Sequence, residues 1–247
     1  IIWMGPQPTL DEQAREVGIG KTLPLSQLGK RIEAAVAKGR KVHFLPPYRG
    51  ETTLQIARLL GLAPERVPLY ASVELAKAVV ALREIKDTDE IDQIEKACEI
   101  GSKMHRMAMK MCRPGVVERE IALQHGAGVS FFSIVSQHGE TLHNHCHEGT
   151  LLSGRLMLVD AGAETTMNYC SDFTRTFPVS GRFTQKQKDV YDIVLAANDR
   201  TFSLAGPDSY YYRMHNEASL VIAEGLKSLG LMRGDMQDAV TVGAQAL

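Results

Sequence analysis

Several features that would assign a chain to a membrane, a nucleic acid or a disulfide scaffold are missing here. No apolar run approaches the roughly 18 residues of a transmembrane helix, and the opening Ile1-Ile2-Trp3-Met4-Gly5-Pro6 is too short for a signal-peptide core. A formal net charge of −1 gives no electrostatic footprint for nucleic acid or an anionic bilayer, so neither partner is expected. The four cysteines, Cys98, Cys112, Cys146 and Cys170, have no paired spacing. That suits free thiols in a reducing cytoplasm better than a disulfide framework. Repeats and low-complexity segments are absent, and the first part of the chain holds no phosphate-cradling glycine motif.

What remains is a chain of 247 residues, 44% hydrophobic and 23% charged, long enough for one large domain or two small ones. The N-terminal part alternates helix and strand signals: an amphipathic stretch at Leu25–Lys38, a short strand at Lys41–Leu45, a helix from Gly50 through Leu60 closed by Gly61, and another over Ser72–Leu82. This is an α/β pattern. A new unit begins near Lys86, where Asp87 is placed to cap a long helix and Glu90 to reach back. Its apolar positions Ile91, Ile94, Ala97, Cys98, Met104, Ala108 and Met111 keep helical spacing until Pro114-Gly115. From Val129 the rhythm turns to strands: Ser130–Val135, Leu156–Ala161 and Tyr169–Phe177. Helices follow at Thr184–Leu204, with Thr184 as N-cap, and at Tyr212–Leu229, ended by Gly230. The run Leu156-Met157-Leu158-Val159 is apolar on both faces, which predicts cover on both sides of the sheet.

Two aspartates stand out within this sheet region. Asp160 ends the apolar run, and Asp172 sits in Tyr169-Cys170-Ser171-Asp172-Phe173. A carboxylate at the end of a buried strand is costly to desolvate unless a counter-charge meets it. Two short strands joined by a tight turn at Thr165-Thr166-Met167 would set the two acids nearly opposite on one face, with Cβ atoms about 4.5–5.5 Å apart. Such a pair suits one hard divalent cation or a bridge between two. The competing reading has one aspartate capping a turn and the other paired with Arg175.

Between the first strand and the aspartates lies His138-Gly139-Glu140-Thr141-Leu142-His143-Asn144-His145-Cys146-His147, four histidines in ten residues. They could be metal ligands, substrate contacts or a solvated polar loop. A zinc site of Cys146 with histidines is conceivable, although the paired spacing typical of structural zinc is absent.

The order of these features resembles the pita-bread (creatinase-like) metallopeptidases, and most closely their Xaa-Pro aminopeptidase and prolidase branch. The likeness covers Leu82-Arg83-Glu84-Ile85-Lys86, Arg113-Pro114-Gly115-Val116-Val117-Glu118, Ser130-Phe131, the loop ending at His143, Asp160-Ala161-Gly162-Ala163, Ser171-Asp172-Phe173-Thr174-Arg175-Thr176-Phe177-Pro178 and Gly181-Arg182-Phe183-Thr184. It implies an α+β pita-bread catalytic domain over residues 85–247, preceded by part of an α/β N-terminal domain over residues 1–84. It further implies two divalent metal ions, manganese before zinc or cobalt, with Asp160 and Asp172 as metal ligands and His143 as a catalytic, substrate-side residue. The implied reaction is attack of a metal-bridging hydroxide on the carbonyl before proline, releasing the N-terminal residue from a peptide with proline at the second position. A homodimer is implied as well. The alternatives are a prolidase confined to Xaa-Pro dipeptides and a pita-bread binding module without catalysis.

The departures from that pattern carry their own expectations. The family's later His-Gly-x-Gly-His segment and two glutamate ligands do not occur before Leu247, so the remaining ligands are expected beyond it and the 247 residues alone are expected to be inactive. Eleven residues separate the aspartates, one more than is usual, and Pro207-Asp208 replaces a common Pro-Gly. The helix over Glu118–Gly126 is short by about two turns, which makes it marginal and suggests residues missing near Ile121.

Overall fold

The computed structural model describes residues 5, 7–122 and 128–244. Its contacts divide the chain into two units, Ile1–Lys86 and Asp87–Leu247. In the first unit, Thr9 and Glu12 form a capping box that starts α1 (Leu10–Glu16). A 3-10 turn at Leu25–Gln27 runs into α2 (Leu28–Ala37). Then come α3 (Gly50–Leu60), a second 3-10 stretch at Pro64–Tyr70 and α4 (Val73–Arg83). The strand expected over Lys41–Leu45 does not form. A β-prone run needs a neighbour for its N–H and C=O groups, and the rest of this unit is helical among the described residues. The Phe44 carbonyl instead accepts the Ser72 N–H at 2.9 Å.

The second unit opens with α5 (Thr88–Met111), whose start is fixed as the sequence predicts: Asp87 accepts from the Glu90 N–H at 2.8 Å, and Glu90 accepts from the Asp87 N–H at 3.0 Å. One stripe of α5, from Ala97 through Gly101, Met104 and His105 to Ala108, is buried. After Pro114-Gly115 comes α6 (Glu118–Ala122). The shortening suspected toward Gly126 falls in part on residues 123–127, outside the described residues.

Three antiparallel strands follow in the order β1-β2-β3: β1 (Ile134–Ser136), β2 (Leu156–Ala161) and β3 (Phe173–Pro178). The first is shorter than expected because Ser130 spends its N–H on the Gly162 carbonyl (3.2 Å) and its hydroxyl on the Ser171 carbonyl (2.8 Å), ahead of the ladder. Along β2 burial alternates. Met157, Val159 and Ala161 are fully buried and pack with Met104, Ala108, Ile121, Leu151 and Val179. Each such large apolar side chain contributes about 1.5–3 kcal/mol. The opposite face, carrying Leu156, Leu158 and Asp160, is only half-buried, so one face of β2, not both, is closed. The helix α7 (Gln185–Leu204) starts from a Thr184/Gln187 capping box. Its Gln187 also donates to the Gly154 carbonyl at 2.9 Å, tying the helix to the turn before β2. Next, α8 (Tyr211–Ser228) lies against α7 with an Arg200–Glu217 ion pair at 2.6 Å, and α9 (Met236–Thr241) is capped by Asp235. Among the described residues no helix is long and apolar enough to cross a membrane.

Candidate metal centre

The turn between β2 and β3 sets the geometry of the aspartates. The Thr165 N–H donates to the Tyr169 carbonyl and the Asn168 N–H to the Thr165 carbonyl, both at 2.9 Å, while Asn168 takes a positive φ of 63°. Asparagine tolerates that conformation, and the turn therefore centres on Met167, one residue later than Thr165-Thr166-Met167 predicts. A one-residue shift of the centre slides the pairing by two. Asp160 faces Thr174, and Asp172 lies two residues further along the same face. The acids share a face, as expected, but on a diagonal and not directly opposed. Gly162 makes the hairpin possible at this point: a Cβ there would lie 1.7 Å from the Ser171 carbonyl oxygen.

The two carboxylates differ in environment. Asp160 is half-buried, and its Oδ1 is shielded from solvent with no hydrogen-bond partner among the described residues. Asp172 is exposed as a residue. Its carboxyl is nonetheless held above the ordinary aspartate range, by partial burial first and then by the negative charge of Asp160. Neither acid forms an ion pair among the described residues. Arg175, the competing partner, instead donates to the Thr174 carbonyl at 2.7 Å and lies over the Phe173 ring. An orphaned buried oxygen beside a like-charged neighbour is a donor set short of a cation, and two carboxylate oxygens fit a hard divalent ion. Among the described residues, no group of three or more His, Cys, Asp or Glu side chains could hold a metal.

His143 is exposed in the loop after β1 and is hydrogen-bonded to neither aspartate. The loop histidines are not gathered into a zinc site with Cys146: His138 Nδ1 is 2.9 Å from Glu140 Oε1, and His145 meets the Phe132 ring edge-on at 6.4 Å. Two buried titratable residues were passed over by the sequence. His105 Nε2 reaches the Ala161 carbonyl, next to Asp160, at 3.2 Å, and its ring stands edge-on to Phe173, next to Asp172. Glu118 is buried, and its carboxylate accepts the backbone N–H groups of Gln137 (2.8 Å) and Gly149 (3.2 Å). In sequence His105 only follows Met104 of the helical stripe, and Glu118 only ends the segment Arg113-Pro114-Gly115-Val116-Val117-Glu118. Only the side-chain type, titratable at a core position, could have marked His105.

Residues 92–241 match the profile of metallopeptidase family M24. The chain belongs to that family. The Xaa-Pro aminopeptidase of Escherichia coli is 29% identical over 98% of this chain and 58% of its own length. Among solved structures, aminopeptidase PepP of Pseudomonas aeruginosa is 27% identical with a TM-score of 0.80, covering 98% of this chain and 58% of that one. The zinc-substituted E. coli aminopeptidase P in complex with product has the same identity and coverage and a TM-score of 0.76. The chain thus spans a little over half the length of these relatives. Their likeness bears out the pita-bread architecture expected from the sequence, and membership of a metallopeptidase family agrees with the divalent metal ions expected.

Proposed function

We propose that the protein is a metal-dependent aminopeptidase that removes the N-terminal residue from peptides with proline at the second position. The observation that carries this reading is the Asp160/Asp172 pair: two acids on one strand face, one with a shielded, unpartnered oxygen, and neither in an ion pair among the described residues. Asp160 and Asp172 would hold the metal, and His143 would contact the peptide from the loop after β1. When bound, two divalent cations supply a Lewis acid for the scissile carbonyl and lower the pKa of water. An Xaa-Pro bond offers no amide N–H, so recognition has to come from the residue shape and the carbonyl. The all-oxygen character of the pair favours manganese over softer ions. Four free cysteines suit a cytoplasmic protein, and the family resemblance supports a homodimer.

The test uses the full-length protein, freed of metal and reloaded with manganese, zinc or cobalt. Release of the N-terminal residue from Xaa-Pro tripeptides and longer peptides is expected only after reloading. Activity confined to dipeptides would instead make it a prolidase, and failure to bind any of the three metals would make it a binding module.

A further inference from the structure

Glu118 is a carboxylate only 2% exposed, at the start of the short helix α6, with each oxygen committed to a backbone N–H. The two donors lie far apart in sequence: Gln137 opens the loop that carries His143, and Gly149 closes it. The remaining bonds of the loop run from these anchors. The Gln137 side chain donates to the Thr150 carbonyl at 2.7 Å and accepts from the Leu152 N–H at 3.0 Å. Fully buried Ser136 accepts from the His138 N–H at 2.9 Å and from the Asn144 side chain at 3.1 Å, and Asn144 adjoins His143. The Arg119 N–H, next to Glu118, takes the His147 carbonyl at 2.9 Å. One buried carboxylate therefore fastens both ends of a loop whose tip is exposed. Buried charge is costly unless its hydrogen bonds are complete, so the clamp has one low-energy arrangement.

We propose that Glu118 is a positioning residue for His143: it fixes the loop so that His143 is presented to the peptide, without itself touching substrate or metal. The proposal rests on the aminopeptidase reading above, in which His143 acts on the substrate. A Cβ at Gly149 would lie 2.9 Å from Oε2 and 3.0 Å from Oε1 of Glu118, so the glycine leaves room for the carboxylate.

The experiment is a double-mutant cycle in the full-length, manganese-loaded protein with an Xaa-Pro tripeptide. Glu118→Gln keeps the shape but turns an amide NH2 toward one of the two N–H donors, releasing one end of the loop. We expect kcat to fall about 10- to 100-fold with metal content unchanged, and the same change in a His143→Ala background to cost no more than about twofold. A full multiplicative loss in that background, or no loss from His143→Ala alone, overturns the proposal while the aminopeptidase reading stands on wild-type activity. If the wild type cleaves no such peptide, that reading fails separately. Hydrogen exchange then tests the clamp alone: Glu118→Gln should speed exchange at Gln137, Gly149 and the residues between, and unchanged rates there refute it. Should Glu118→Gln not fold, Gly149→Ala, which displaces the carboxylate without removing its charge, is expected to give the same pattern in both measurements.

Discussion

His105 Nε2 lies 3.2 Å from the carbonyl oxygen of Ala161, so a side chain of α5 reaches the backbone of β2 one residue from Asp160. A carbonyl oxygen only accepts, which makes Nε2–H the donor. His105→Phe removes that donor in a buried setting and is expected to cost about 1–3 kcal/mol, whereas His105→Gln, which can still donate, should cost less. Denaturant unfolding compares them. A larger loss from His105→Gln would show that the ring's edge contact with Phe173 matters more than the hydrogen bond.

The raised pKa of Asp172 has a definite sign in stability. Between the ordinary aspartate value and its elevated value in the fold, the metal-free folded protein holds a proton that the unfolded chain has released, so stability falls as pH rises through that window. Asp172→Asn should remove this slope, gaining on the wild type as pH increases. Unfolding of the metal-free pair of proteins across the acidic range measures the difference, and a widening deficit for the variant would reverse the assignment.

Metal binding should oppose that trend, because a cation favours both carboxylates ionised. Manganese at 100 times its dissociation constant stabilises the folded form by about 2.7 kcal/mol, and thermal melts of the full-length protein should rise accordingly. Asp172→Ala is expected to abolish both the rise and the metal-dependent hydrolysis while leaving a folded chain, since the residue is exposed and outside the core. Near-wild-type turnover in this variant would refute the ligand role.

At the start of α5, Asp87→Ala leaves the Glu90 N–H without its partner, and the expected loss is about 1 kcal/mol. Equilibrium unfolding of the variant gives the value directly. A loss below a few tenths would mean that water replaces the cap at no cost.

Features fixed by neighbours in sequence were legible in advance. The Asp87/Glu90 box, the Thr184 cap and the bounds of β2 each depend on residues within a turn or two, and each was read from local pattern. The aspartates were legible as a pair because acids are rare at the ends of apolar strands. Their diagonal offset was not, since register depends on which turn residue accepts a positive φ, and Asn168 took that role. The strand at Lys41–Leu45 failed for the opposite reason: its local propensity had no partner to pair with. Glu118 and His105 acquire meaning only through contacts 19 to 56 residues away along the chain, which no window of sequence displays.

In the sheet, β2 is enclosed by β1 and β3, while β3 has no strand on its other side among the described residues. A strand edge of this kind is a template. Any segment laid along it would meet β3 in register and send every second side chain onto the face that holds Asp160 and Asp172. A segment paired to that edge would therefore bring its own side chains alongside the two acids, without any change to the hairpin that carries them.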